Sequence, residues 1–507
     1  MGAGFSTVTP PPSQVSATSV AQAVWSYTPR SLTDIQSLVS AIQNNDPSLL
    51  STLSDLDFIP APYYAGQVSL TQVASFISTL VNNYNMAGVI AGLISSNPYT
   101  LWGPPLVAGL IGVMGYTSVA QILSLVSSSA LGNIAINNDI SSTTLNQLIT
   151  NAALSATAAQ ALLYGLAENY YYNKWIQTVT YNAPTSVTFS TNTVLSTNVL
   201  IAQNITIASG VTVTCGTTTC FFIAQSFNNK GTIVNPYGGP GGSAPTYAGP
   251  GGTGGGGVAV LAITAVMGTI SVNGSPGVNG TASAATVSVA GGAGGGVLVV
   301  ISGVAIPLGG NGGTVPGVAA GIGGHNGGGG GAGTALQPGG AGGSATLYSF
   351  PSGNALLTYL IQGLSDWWLA KVVGKAPPTQ TPILYFYGAG GGGGAGGTSG
   401  WGAGGGGGGG GGEVIIYGQN VTLGTVNAVG GTGGISTGNY NAGGGGGGGG
   451  IALVFYAPLA GGAAGGVNGT LVMNAAGGVG GSASSVAYDG AAGQPGTAYI
   501  VAVTVNG

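Results

Sequence analysis

The sequence predicts an α + β multidomain protein: an N-terminal α-helical module, then a Gly-rich β-solenoid with ordered polyglycine returns that carries a helical insertion. Three observations carry this expectation. Glycine is uneven, with 11 of the 103 in residues 1–175 and 92 in residues 176–507. Apolar residues recur at helical spacing in the first part. In the second, short β-rich runs alternate with a fixed phrase and a glycine-rich stretch, as stacked repeats do.

Composition sets the bounds. A chain of 507 residues is long enough for two to four domains with sizeable cores. Only 3% of residues are charged, against about 25% in ordinary globular proteins. With 44% hydrophobic residues the chain is the opposite of a disordered one. The formal charge is +5 − 9 = −4 at pH 7, and +5 + 1 = +6 once every carboxylate and His325 are protonated. Acid unfolding comes mostly from protonating paired carboxylates, so melting should change little between pH 7 and pH 2. We read this as adaptation to an acidic exterior. Arg30, Lys174, Lys230, Lys371 and Lys375 are scattered and form no stripe for phosphates, which excludes a nucleic-acid partner.

Residues 1–14 ("MGAGFSTVTPPPSQ") read as a flexible arm without the basic and apolar regions of a secretory signal. Residues 15–175 read as the helical module. Leu32, Ile35, Leu38, Val39 and Ile42 share one face, as do Leu70, Val73, Phe76, Ile77 and Leu80. Capping-box pairs precede the apolar stripes at Ser19/Gln22, Ser31/Asp34, Ser69/Gln72, Ser118/Gln121, Thr144/Gln147 and Thr157/Gln160. Gln at the third helical position keeps the hydrogen bond without a titrating group. Leu106 to Val126 has the length of a membrane span. Ser118, Gln121 and Ser124 interrupt it, so we read a buried helix instead.

Residues 176–350 and 389–507 read as the two parts of the solenoid. The strand runs are Val258–Ile263, Val297–Ile301, Glu413–Tyr417 and Ile451–Tyr456. The recurring phrase, read as a turn, appears at Gly231–Asn235, Gly268–Asn273, Gly424–Asn427 and Gly469–Asn474. Glycine runs, including Gly404–Gly412 and Gly443–Gly450, stand just before strands. A flexible tether does not recur in register with strands, so these runs are expected to be ordered returns that pack side by side for want of a Cβ.

Residues 351–388 interrupt the glycine pattern with an amphipathic stretch, Pro377 and Pro378, and an aromatic strand. Trp367, Trp368, Lys371, Lys375, Tyr385 and Tyr387, with Trp401 beyond them, are the candidate binding residues. Aromatic faces beside a few polar groups suit a sugar or another protein, and insertions are common binding sites. The alternative is a helix that packs on the repeats or joins protomers.

Cys215 and Cys220 flank "GTTT" and are a candidate disulfide, the alternative being two buried thiols. Asn204, Asn273, Asn279, Asn420 and Asn468 head Asn-x-Ser/Thr sequons, all beyond residue 200, and are candidate glycosylation sites. Glycan cleavage needs paired carboxylates, and residues 176–507 hold only Asp366, Glu413 and Asp489. His325 stands in a glycine loop without a metal-ligand pattern. Matches to GxGxxG follow from the abundance of glycine and lack a βαβ setting. No enzyme, metal or cofactor is expected.

Two stretches carry a resemblance. "SVAQAVWSYTPRSLT" (Ser19–Thr33) resembles an Ala-Val-Trp-x-Tyr-x-x-Arg-x-Leu-Thr phrase of viral tail and other structural proteins. "NITIASGVTVTCGTTTCFFIAQSFNNKGTIVN" and the Gly-rich repeats after it resemble Gly-rich β-helical adhesins. The low charge and the sequons resemble tail-fibre or spike proteins of spindle-shaped viruses of thermoacidophilic archaea. The resemblance implies a virion-surface attachment protein whose N-terminal helices dock on other virion proteins and whose Gly-rich part binds a host glycan or protein. A homo-oligomer fits that role. A cellular surface adhesin or pilus-associated subunit is the second reading, and a glycan-cleaving β-helix the third.

Overall fold

The computed structural model describes residues 63–66, 68–168, 171–217, 219–237, 252–279, 297–298, 346–347, 405–435, 444–456, 466–482, 489, 492–493 and 495–502. They divide into two compact units that meet in sequence at Tyr181 and Asn182.

The first unit is helical: α1 (Leu70–Tyr84), α2 (Ala87–Ser96), α3 (Pro104–Leu123), α4 (Ser128–Ile136), α5 (Ser142–Ile149), α6 (Ala156–Glu168) and α7 (Tyr172–Thr180). At α1 the capping box is complete: Ser69 Oγ accepts from the Gln72 amide, and Gln72 Oε1 accepts from the Ser69 amide at 2.9 Å. The other pairs that fall on described residues are not boxes. Ser141 caps α5 by accepting from Thr144, Ser155 accepts from the Ala158 amide, and Ser118 lies inside α3. At α5 and α6 the real cap stands three and two residues before the Thr-x-x-Gln match, because a first turn rich in Ser and Thr offers several matching positions.

Packing here runs through side chains. Val73, Ala74, Ile77 and Leu80 of α1 are buried, as are Leu106, Val107 and Leu110 of α3. Helices α4 and α6 meet at glycine. A Cβ on Gly165 would lie 2.2 Å from the Gly132 Cα, so only hydrogen fits there. Asn146, buried in α5, donates to the Thr178 carbonyl of α7 at 2.7 Å. Lys174 donates to the Asn137 carbonyl at 2.6 Å, and burial lowers its pKa to about 8 against the opposing pull of Asp139. Helix α3 is long and apolar enough to cross a membrane by length and composition, and it kinks at Gly115, whose φ is 77°.

The second unit holds strands β1 (Ser186–Phe189), β2 (Thr193–Leu195), β3 (Val199–Ile207), β4 (Thr212–Cys215), β5 (Thr219–Asn229), β6 (Thr232–Val234), β7 (Gly257–Val266) and β8 (Thr269–Ser271). After them come β9 (Val297–Leu298), β10 (Thr346–Leu347), β11 (Glu413–Gly418), β12 (Asn420–Thr422), β13 (Thr425–Asn427), β14 (Ile451–Tyr456), β15 (Val467–Asn468), β16 (Val472–Asn474) and β17 (Thr497–Ala502). A nine-stranded parallel sheet runs β1-β3-β5-β7-β11-β14-β17, with β12 paired to β7 and β15. A six-stranded parallel sheet runs β16-β13-β8-β6-β4-β2. Strands β9 and β10 pair separately.

This corrects the expected architecture. The described residues form open parallel sheets combined with helices, an α/β fold, and no closed solenoid. The physical reason lies in the returns. The glycine segments that were expected to complete each coil carry no strand, so two separate sheets result.

A second correction concerns the recurring phrase, which is no turn. It forms β6, β8, β13 and β16, four of the six strands of the smaller sheet. Its central residues, Ile233, Ile270, Val426 and Met473, pack into one apolar cluster with Phe222, Val260, Ile416 and Val454 of the larger sheet. Each of these three-residue strands sends its central side chain into that cluster.

The described glycines of the runs are ordered by main-chain hydrogen bonds with a spacing of three. The amides of Gly406, Gly409 and Gly412 donate to the carbonyls of Val278, Ser275 and Val272, at 2.9, 2.9 and 2.6 Å. Those of Gly408 and Gly411 donate to Gly445 and Gly448, each at 2.8 Å. Three residues per turn without internal bonds is the habit of the polyproline II helix. Gly405–Gly412 are all buried. A Cβ on Gly408 would stand 1.9 Å from the Gly431 carbonyl oxygen, and one on Gly409 would stand 1.9 Å from that of Thr253. Backbone fills the space that side chains fill in the helical unit.

Candidate functional site

The glycine helices that leave the smaller sheet present a face on which every third residue is exposed, save the half-buried Val429. They read Asn273-Gly-Ser-Pro276-Gly-Val-Asn279, Val429-Gly-Gly-Thr432-Gly-Gly-Ile435 and Ala476-Gly-Gly-Val479-Gly-Gly-Ser482. The three lie parallel and in register. Gly274 and Gly277 donate to the carbonyls of Val429 and Thr432, and Gly430 and Gly433 donate to those of Ala476 and Val479. Asn273 and Asn279 extend the ladder, their side-chain oxygens accepting from the amides of Val429 and Ile435 at 2.8 Å each.

Every third residue therefore stands outward, about 9 Å apart along a helix and about 5 Å apart between helices. Val479 is 68% exposed and Ile435 46%. The array bears no ionisable group. Its chemistry is flat apolar contact with a few hydroxyl and amide groups, which suits a neutral ligand such as a glycan or an uncharged protein surface. The Gly-Gly-X triplets of residues 429–435 and 476–482 are the signal that sequence reading passed over, because attention to glycine count hides its period.

The residues singled out from sequence fall as follows. Trp367, Trp368, Lys371, Lys375, Tyr385, Tyr387 and Trp401 lie outside the described residues, as do His325 and Asp366. Among the sequon asparagines, Asn204, Asn273, Asn279 and Asn468 are exposed and Asn420 is half-buried. Asn204 Nδ2 donates to the Thr185 carbonyl at 2.8 Å, and an N-linked glycan there would leave it one N–H for that bond. Asn273 and Asn279 alone belong to the array.

Cys215 ends β4, Cys220 lies in β5, and a disulfide joins them, tying the smaller sheet to the larger one. Asp489 is exposed, whereas Glu413 is fully buried in β11. Burial raises the pKa of Tyr417, four residues further along the same strand. Among the described residues no group of three or more His, Cys, Asp or Glu side chains stands ready for a metal. No family model, curated protein or solved structure matches the chain.

Proposed function

We propose that the chain is a structural virion protein of the tail-fibre or spike kind, bound to the particle by its helical part and to the host surface by its Gly-rich part. The observation that supports this reading most is the array of outward residues on hydrogen-bonded glycine helices. Such a face is held by main chain, lacks charge and keeps its shape in acid. It offers regularly spaced contacts without the paired carboxylates that glycan cleavage requires. Helices and glycine array belong to separate compact units, which suits a division between anchoring and display.

The test has two arms. Antibody against the full chain should label the surface of purified particles; label on cell envelopes and none on particles would favour a cellular adhesin. Excess full chain should also block attachment, and Ile435→Lys with Val479→Lys should weaken that block at least tenfold. Both residues are exposed, so melting should stay within about 0.5 kcal/mol of wild type. Undiminished blocking by the double variant would remove the array from the binding surface.

A further inference from the structure

Glu413 is a buried acidic group that the reading above leaves unused. It opens β11 at the point where the glycine run enters the larger sheet, in register with Gly257 of β7 and Ile451 of β14. The next positions of that row are Thr219 and Thr497. Its side chain is 0% exposed, and neither carboxyl oxygen has a hydrogen-bond partner.

The surroundings explain why. Nearby amides are already committed: Gly411 donates to Gly448, Gly412 to Val272, Gly450 to Ala428 and Gly256 to Asn235. The buried amide of Asn235 donates to the Gly257 carbonyl at 2.7 Å. No cation stands on the flanking elements. Strand β7 has no titratable side chain, β14 has only Tyr456 at its far end, and β11 itself adds Tyr417. Among the described residues a carboxylate here would have neither donor nor counter-charge, which a buried anion cannot tolerate.

We infer that Glu413 is kept as a neutral carboxylic acid inside the larger sheet, so that folding takes up a proton and the fold is strongest in acid surroundings. Burial accordingly holds its carboxyl well above the usual carboxylate range. An acid whose folded pKa is raised adds stability that is complete below its unfolded value of about 4.3 and is lost as pH climbs toward the folded value. The device thus runs opposite to ordinary acid denaturation. It also sharpens the sequence-based expectation of a flat response to pH: acidification should strengthen this part of the fold. The inference is independent of what the protein binds.

Melting of the full chain and of Glu413→Gln should be followed from pH 3 to pH 8. The amide keeps the shape of the neutral acid and cannot ionise. The two proteins should melt within a degree or two of each other at pH 3, and the variant should gain several degrees over wild type by pH 8. A difference that does not grow with pH would overturn the inference. Infrared spectroscopy decides the matter even if the variant fails to fold. Wild type at pH 7 should show the carbonyl stretch of one protonated carboxylic acid, lost on unfolding. Absence of that band in the native protein would overturn the inference as well.

Discussion

The two units solve the same packing problem with different atoms. Between α4 and α6, and between α1 and α3, Leu, Ile, Val and Ala side chains fill the interior, and two backbones touch at Gly132 and Gly165. In the glycine helices the relation is inverted: main chain packs on main chain, and side chains appear only on the outer face. Hydrophobic burial dominates the first unit. In the second, the larger entropic cost of ordering glycine is offset by short main-chain hydrogen bonds, such as those from the Gly406, Gly408, Gly409, Gly411 and Gly412 amides. Neither solution needs charge, which is how a chain with 3% charged residues holds two kinds of core.

This contrast predicts unequal responses to single substitutions. The largest effect belongs to Gly431→Ala. Its Cβ would meet the Ser275 carbonyl oxygen at 1.9 Å, and backbone cannot step aside as a side chain can. We expect a loss beyond about 4 kcal/mol, read by calorimetry as a lower or absent transition of the Gly-rich unit. Leu162→Ala in α6, at 0% exposure, should cost about 2–5 kcal/mol, the ordinary price of a core cavity. A methyl group added in one region would then outweigh three carbons removed from the other. The reverse order would show that the glycine helices yield more readily than their spacing implies.

Reduction of Cys215–Cys220 should cost about 2 kcal/mol, since a short loop removes little chain entropy. The same treatment should leave the melting of the helical unit unchanged. The smallest effect is Ser69→Ala, which removes one cap of α1 and should cost about 1 kcal/mol by thermal melting.

Legibility followed the same divide. Helix α1 could be read from sequence because period 3.6 and a cap coincide there, and Val73, Ile77 and Leu80 are indeed buried. Strands β11 and β14 were legible as runs of apolar, mostly β-branched or aromatic residues ending in Tyr417 and Tyr456. The smaller sheet was not. Its strands are three or four residues long, and those flanked by Gly, Thr and Asn that signal turns reveal the buried side only through the central Ile233, Ile270 or Val426. The separation into two sheets depends on glycine segments whose threefold period carries no hydrophobic pattern. For the same reason the outward residues Thr432 and Val479 read as filler between glycines. Nor does the local sequence at Glu413 give any measure of how completely the strands around it exclude water.

Main-chain hydrogen bonds order the glycine run before β11. Hydrogen exchange on the full chain, resolved by residue, tests this ordering directly. The amides of Gly406, Gly408, Gly409, Gly411 and Gly412 should be protected to the same degree as those of Val414–Tyr417. Exchange of these glycines at the rate of an unfolded chain, beside a protected β11, would contradict the account and return the run to the class of flexible tethers.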